Sequence, residues 1–105
     1  MIVSFKKDYL RDLYETGKTA DKKHRFQPEI VQKYKFCINA LKSASGINAI
    51  CNVKSFNYEE LQGDKEGISS IRVNLKYRIE FTVTDNGVEP IAYICNIIEL
   101  SNHYK

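Results

Sequence analysis

The chain has 105 residues, 43% hydrophobic and 28% charged, with a formal net charge of +3. That size holds one core, and the balance of apolar and charged residues argues against both a second domain and intrinsic disorder. The mild positive charge permits a polyanionic partner without demanding one. No apolar run approaches the ~18 residues of a membrane span. The opening MIVSFKKDYL lacks the layout of a secretory signal, so a cytoplasmic protein with no membrane partner is expected. Cys37, Cys51 and Cys95 show neither C-x-x-C nor zinc spacing, and Cys37 and Cys95 occupy core-like positions. They read as small buried hydrophobes in a reducing compartment.

In chain order, Met1–Phe5 reads as a first strand. Between Lys6 and Thr16, Tyr9, Leu10, Leu13 and Tyr14 fall at helical spacing, and Gly17 stands where a helix end favours a left-handed residue. Lys18–Gln27 has no periodicity and reads as a loop. Its Lys22, Lys23, His24 and Arg25 form the densest basic cluster, either a solvated loop or a contact for an acidic or nucleic-acid partner. Pro28 suits the first position of a second helix, in which Ile30, Tyr34, Cys37 and Leu41 form an apolar stripe that Val31 and Ile38 widen. Ser43–Gly46 ends it, and Ile47–Lys54 offers one further helical turn. Phe56–Gln62 reads as a strand running into a turn at Gly63-Asp64.

The most informative stretch is Lys65–Val83. Ile71, Val73, Tyr77, Ile79, Phe81 and Val83 share one face, while Arg72, Arg78, Glu80 and Thr82 take the other, the pattern of two half-buried strands. Parity restricts the turn. Val73 and Tyr77 both face the core only if an odd-numbered loop, Asn74-Leu75-Lys76, joins the strands. Arg72 then lies directly across from Arg78, and Ser70 across from Glu80. Like charges facing each other on a ribbon are destabilising. An anion between them would relieve that cost, and guanidinium suits phosphate oxygens well. The alternative is that each arginine packs its stem on the sheet and pairs with a carboxylate such as Glu80. Beyond the ribbon, Asn86-Gly87 signals a hairpin turn, Pro90 marks a strand start or edge, and Ile91–Leu100 is almost continuously apolar, as in a strand covered on both faces or bent by a bulge. The layout predicts a single α+β domain over residues 1–105, with two N-terminal helices on one face of a twisted, mostly antiparallel sheet of four or five strands. The opposite face is expected to be partly open, with Arg72, Arg78 and Thr82 pointing into it.

Leu61, Gly63, Asp64, Gly67, Ser70, Ile71, Arg72, Val73, Asn74, Tyr77, Arg78, Ile79 and Phe81 compose a motif that, with His103 near the end, resembles the plasmid-maintenance killer proteins, the HigB-type toxins of the RelE/ParE superfamily. The likeness covers nearly the whole chain. It implies a RelE-like fold and a toxin that inhibits translation by cleaving messenger RNA in the ribosomal A site. The same likeness implies no metal and no other cofactor. The partners it implies are the ribosome, mRNA and a helix-turn-helix, HigA-like antitoxin, with operator DNA reached only through that antitoxin. By position, Arg72 and Arg78 match the family's ribbon arginines. Arg72 is assigned to the scissile phosphate, and Arg78 either shares that task or holds neighbouring carboxylates. His103 matches a terminal histidine that acts as an acid/base or orienting group. Lys54, Lys65, Lys76, Tyr104 and Lys105 are the expected RNA contacts. The chain departs from the pattern where many relatives carry H-P-L-K before Gly-Asp. Here the residues are Glu59-Glu60-Leu61-Gln62, and Ser101-Asn102-His103 stands where D-Y-H is frequent. The general acid/base is therefore open, with Lys54, Lys65 and Tyr104 as the replacements at hand. Two other activities fit the resemblance: a non-catalytic binding module acting with an antitoxin, and a gyrase-targeting ParE-like toxin.

Overall fold

The computed structural model describes residues 1–102. Strand β1 (Ile2–Phe5) leads into helix α1 (Asp8–Glu15), which buries Tyr9, Leu10 and Leu13. Gly17 ends that turn with φ +77°, its N–H donating to the Leu13 carbonyl at 3.1 Å. The basic loop carries a short 3-10 turn, Lys22–His24, capped by the Asp21 carboxylate. Helix α2 (Pro28–Ser43) starts on Pro28 and buries Val31, Tyr34, Cys37, Ile38 and Leu41, the stripe its spacing predicts. The Tyr34 hydroxyl donates to the Leu10 carbonyl at 2.7 Å and ties the two helices together. The extra helical turn after Gly46 is present as α3 (Ile47–Cys51).

The strands that follow are β2 (Glu59–Glu60), β3 (Ser69–Arg72), β4 (Tyr77–Asp85) and β5 (Tyr93–Asn102). They form one five-stranded sheet in the order β1-β5-β4-β3-β2. Only β1 and β5 run parallel; the other neighbours are antiparallel. Leu10, Leu13, Tyr34, Ile38 and Leu41 from the helices meet Ile71, Ile79, Phe81, Cys95 and Ile97 from the sheet in a single core. Burial of that apolar surface is the main force holding the helices to the sheet.

Two expectations about strands need correction. Phe56–Gln62 is not a continuous strand: Lys54–Phe56 forms a 3-10 turn and only Glu59–Glu60 pairs, against Ser70 and Ser69. Nor does Asn86-Gly87 close a tight hairpin. Asp85 pairs with Tyr93, and the intervening loop is organised by the Asn86 side chain, which accepts from the Ala92 N–H at 3.1 Å. Pro90, without an N–H for the ladder, sits in that loop rather than at the head of β5. The apolar run of β5 is explained by a bulge. Glu80 pairs with Glu99 but Phe81 with Ile97, so Ile98 is the extra residue.

Candidate functional site

The β3–β4 ribbon has the register that parity requires: Ile71 opposite Ile79, Ser70 opposite Glu80, and Arg72 opposite Arg78. The Val73 N–H donates to the Tyr77 carbonyl at 3.0 Å across the Asn74–Lys76 loop. By alternation, the Arg72–Arg78 pair is of the non-hydrogen-bonded type, in which facing side chains lie closest. The Asn74 carboxamide shapes the loop, accepting from the N–H groups of Lys76 and Tyr77 at 2.9 and 2.7 Å.

The face carrying this pair is less open than expected. Arg78 is 4% exposed, and Ser70 and Glu80 are buried beside it. Residues Lys54–Asn57 account for part of the difference, because the Asn57 carbonyl accepts from Arg78 Nη2. Arg78 Nε also donates to Ser70 Oγ at 2.9 Å, and Nη2 makes a longer bond of 3.3 Å to the Ser70 carbonyl. Burial lowers the Arg78 guanidinium from its ordinary range; Glu59 on β2 opposes that shift and Arg72 adds to it. It stays a cation throughout, since a guanidinium is not deprotonated in proteins. Glu80 does not pair with it. That carboxylate accepts from Lys65 Nζ at 2.9 Å, so Lys65, itself half-exposed, is tethered beside the ribbon.

Arg72 is half-buried and, among the described residues, has no carboxylate partner. Its guanidinium meets the Asn57 side chain. With the amide turned so that oxygen faces donor, Asn57 Oδ1 accepts from Nη1 at 3.2 Å and from Nη2 at 2.6 Å. Beside Arg72 lies a cleft of about 760 Å³ lined by Phe36, Phe56, Val73, Leu75, Lys33 and Lys76. Phe36 and Leu75 are strongly exposed there, next to cations, which suits a ligand with both apolar and anionic parts.

Of the residues expected to act on RNA, Arg72 and Arg78 lie on the ribbon, Lys65 in the Gly63–Lys65 turn is tethered beside it through Glu80, and Lys76 lies in the loop at its tip. Lys54 sits in the turn that presents Asn57, to which its carbonyl is bonded. His103, Tyr104 and Lys105 lie outside the described residues. Ser101 pairs with Arg78 and Asn102 with Tyr77, so β5 leaves the described region at the arginine end of the ribbon. Asn57 escaped sequence reading; its one local signal is the tolerance of asparagine for left-handed backbone. Among the described residues, no group of three or more His, Cys, Asp or Glu could hold a metal ion. No described helix is long and apolar enough to cross a membrane.

Comparison with known proteins identifies the family and the fold. The family model described as the RelE-like toxin of type II toxin–antitoxin system HigB matches residues 3–94. Toxin HigB-1 of Vibrio cholerae serotype O1 is 32% identical over 95 residues, covering 90% of this chain and 95% of that protein. Among solved structures, a YoeB/ParE toxin from Agrobacterium tumefaciens superposes with a TM-score of 0.61 at 20% identity, over 99% of this chain and all of that one. The YoeB–YefM toxin–antitoxin complex from Staphylococcus aureus gives 0.59 at 19% identity, covering 99% and 98% of the two chains. YafQ from E. coli gives 0.59 at 16% identity, over 96% and 91%. These structures share the fold, and the family match reaches across the ribbon that carries the arginine pair. The chain belongs to the HigB-like toxin family, the RelE-like toxins of type II toxin–antitoxin systems.

Proposed function

We propose that this toxin is a ribosome-dependent mRNA endoribonuclease, with Arg72 as the group that meets the scissile phosphate. One observation carries the reading: two guanidiniums stand side by side on the ribbon, and the outer one is held by a neutral amide with, among the described residues, no carboxylate to cancel its charge. A cation so placed is available to a phosphate, and its planar fork of donors matches phosphate oxygens.

In this reading the RNA's own 2′-oxygen attacks the adjacent phosphorus and the 5′-oxygen leaves. The 2′-hydroxyl proton must pass to a base, and the leaving oxygen must receive one. The negative charge that builds on the equatorial oxygens of the phosphorane is met by Arg72, while Lys65, whose charge is balanced by Glu80, is proposed as an RNA contact beside it. No metal is assigned a role, since the guanidinium of Arg72 is proposed to supply the charge. Arg78, enclosed and bonded to Ser70 and Asn57, supports the site from beneath. His103 is proposed for proton transfer, with Lys54 and Tyr104 as the other candidates. Lys76 and Lys105 are proposed to contact the RNA backbone. The toxin is expected to act in the cytoplasm, on mRNA in the ribosome, and to be restrained by a HigA-like helix-turn-helix antitoxin. Support for an antitoxin comes from family membership.

The test is induced expression in a bacterial host with transcript mapping. Growth arrest with transcripts cut in translated regions is expected, and Arg72→Ala should abolish both. An Arg72→Ala toxin that arrests growth as well as the parent would overturn the assignment. Arrest with intact transcripts would point to a binding module, and arrest with induced DNA-damage signalling to a gyrase poison.

A further inference from the structure

We propose that Asn57, which lies on neither strand of the ribbon, is the positioning residue that seats Arg72 for the scissile phosphate. The proposal rests on the endoribonuclease reading above. Asn57 follows the Lys54–Phe56 turn with φ 43° and ψ 55°, and among the described residues it alone has positive φ without being glycine. Asparagine is among the few side chains that accept this conformation.

From that position the residue engages both arginines through different atoms. Its backbone carbonyl accepts from Arg78 Nη2, and with the amide turned so that oxygen faces donor its side-chain oxygen accepts from Arg72 Nη1 and Nη2. The amide cannot turn without loss, because its nitrogen donates to the Lys54 carbonyl at 3.3 Å, the same carbonyl that takes the Asn57 N–H at 3.1 Å. Two groups that repel each other are thus each fastened to one residue. The chemistry of the grip matters as much as its geometry. A carboxylate here would hold Arg72 equally well but cancel its charge. A carboxamide oxygen orients the guanidinium and leaves the full positive charge for an incoming anion.

Two substitutions separate these effects. Asn57→Gly keeps a residue suited to positive φ, and with it the carbonyl that holds Arg78, while removing the contact to Arg72. Asn57→Asp keeps the contact and removes the net charge. The first readout is 15N relaxation of the Arg72 Nε–H in the free toxin, which reports restraint independently of activity. The second is the rate of mRNA cleavage in a translating extract. Asn57→Gly should free the Arg72 side chain and slow cleavage about 10- to 100-fold, with melting within a few degrees of the parent. Asn57→Asp should leave Arg72 restrained yet slow cleavage by a comparable factor. Unchanged Arg72 relaxation in Asn57→Gly would overturn the proposal, as would a freed Arg72 with parental cleavage. Should the parent itself cleave no RNA, the endoribonuclease reading fails, and the phosphate in this proposal fails with it. The relaxation data would then still decide whether Asn57 holds Arg72.

Discussion

Arg78 allows a quantitative separation of the two ribbon arginines. Replacing it with methionine keeps most of the stem packing but removes a charged donor from a nearly enclosed site. Ser70 Oγ and the Asn57 carbonyl each lose a bond of normal or short length, and the Ser70 carbonyl loses a weaker one at 3.3 Å. Hydrogen bonds to a charged group contribute about 1.5–3 kcal/mol each. Relief of the guanidinium's desolvation and of its repulsion by Arg72 offsets part of that loss. A net destabilisation of about 2–4 kcal/mol is expected, a fall of roughly 10–20 °C in Tm for a domain of this size. Arg72→Met, at a half-buried position where the described partner of the guanidinium is the neutral Asn57 amide, should cost less than about 1 kcal/mol. Urea denaturation of both variants measures the difference directly. Adding Ser70→Ala to Arg78→Met should cost less than the sum of the single changes, because the two side chains share a bond. Equal midpoints for Arg78→Met and Arg72→Met would refute the view of Arg78 as an internal brace.

Three further outcomes are expected. Burial alone would raise the Glu99 carboxyl, but bonds from Tyr9 and Lys7, with the nearby His24, outweigh it and hold the group below its ordinary 4.5. A depressed folded pKa stabilises above the unfolded value and is lost as pH falls through the folded one. Glu99→Gln should therefore flatten the acid limb of a stability–pH curve below about pH 4.5. Burial pushes the Cys37 and Cys95 thiols up to about 12, whereas Cys51 is exposed. Iodoacetamide at neutral pH should label only Cys51 in the folded protein and all three after denaturation, as read by mass spectrometry. Lys65→Met would leave the Glu80 carboxylate, 10% exposed, without its ammonium. Discounted for the exposure of Lys65, the cost in urea is about 1–2 kcal/mol, together with slower RNA cleavage.

The ribbon was the most legible part of the molecule because its information is local. Alternation over Ile71–Val83 and the odd loop between Val73 and Tyr77 leave a single register that keeps both apolar sets on the core face, and Arg72 meets Arg78 as a consequence. The α2 stripe was legible for the same reason, its 3.6-residue period extending over four turns. Segments whose conformation depends on distant partners were not. Phe56–Gln62 carries aromatic residues that favour a strand, yet Phe56 is drawn into the core and Asn57 turns left-handed to meet two arginines from elsewhere in the chain. Nothing local announces those arginines, so neither Asn57 nor the enclosure of Arg78 could be read in advance. At Asn86-Gly87, a strong two-residue turn signal lost to a longer loop in which Asn86 bonds Ala92 and Pro90 cannot join the ladder.

Through the strand order β1-β5-β4-β3-β2, the described sheet closes only when β5 is in place. Among the described strands, β5 is the sole neighbour of β1, one of the two neighbours of β4, and the last in chain order. Until it emerges, the earlier strands cannot complete the sheet, and the arginine ribbon has no framework on its β4 side. A truncated or frameshifted product lacking residues 93–102 should be an unstructured, harmless polypeptide. Translation of the earlier strands therefore runs ahead of a supported arginine ribbon, which exists only once β5 has joined the sheet.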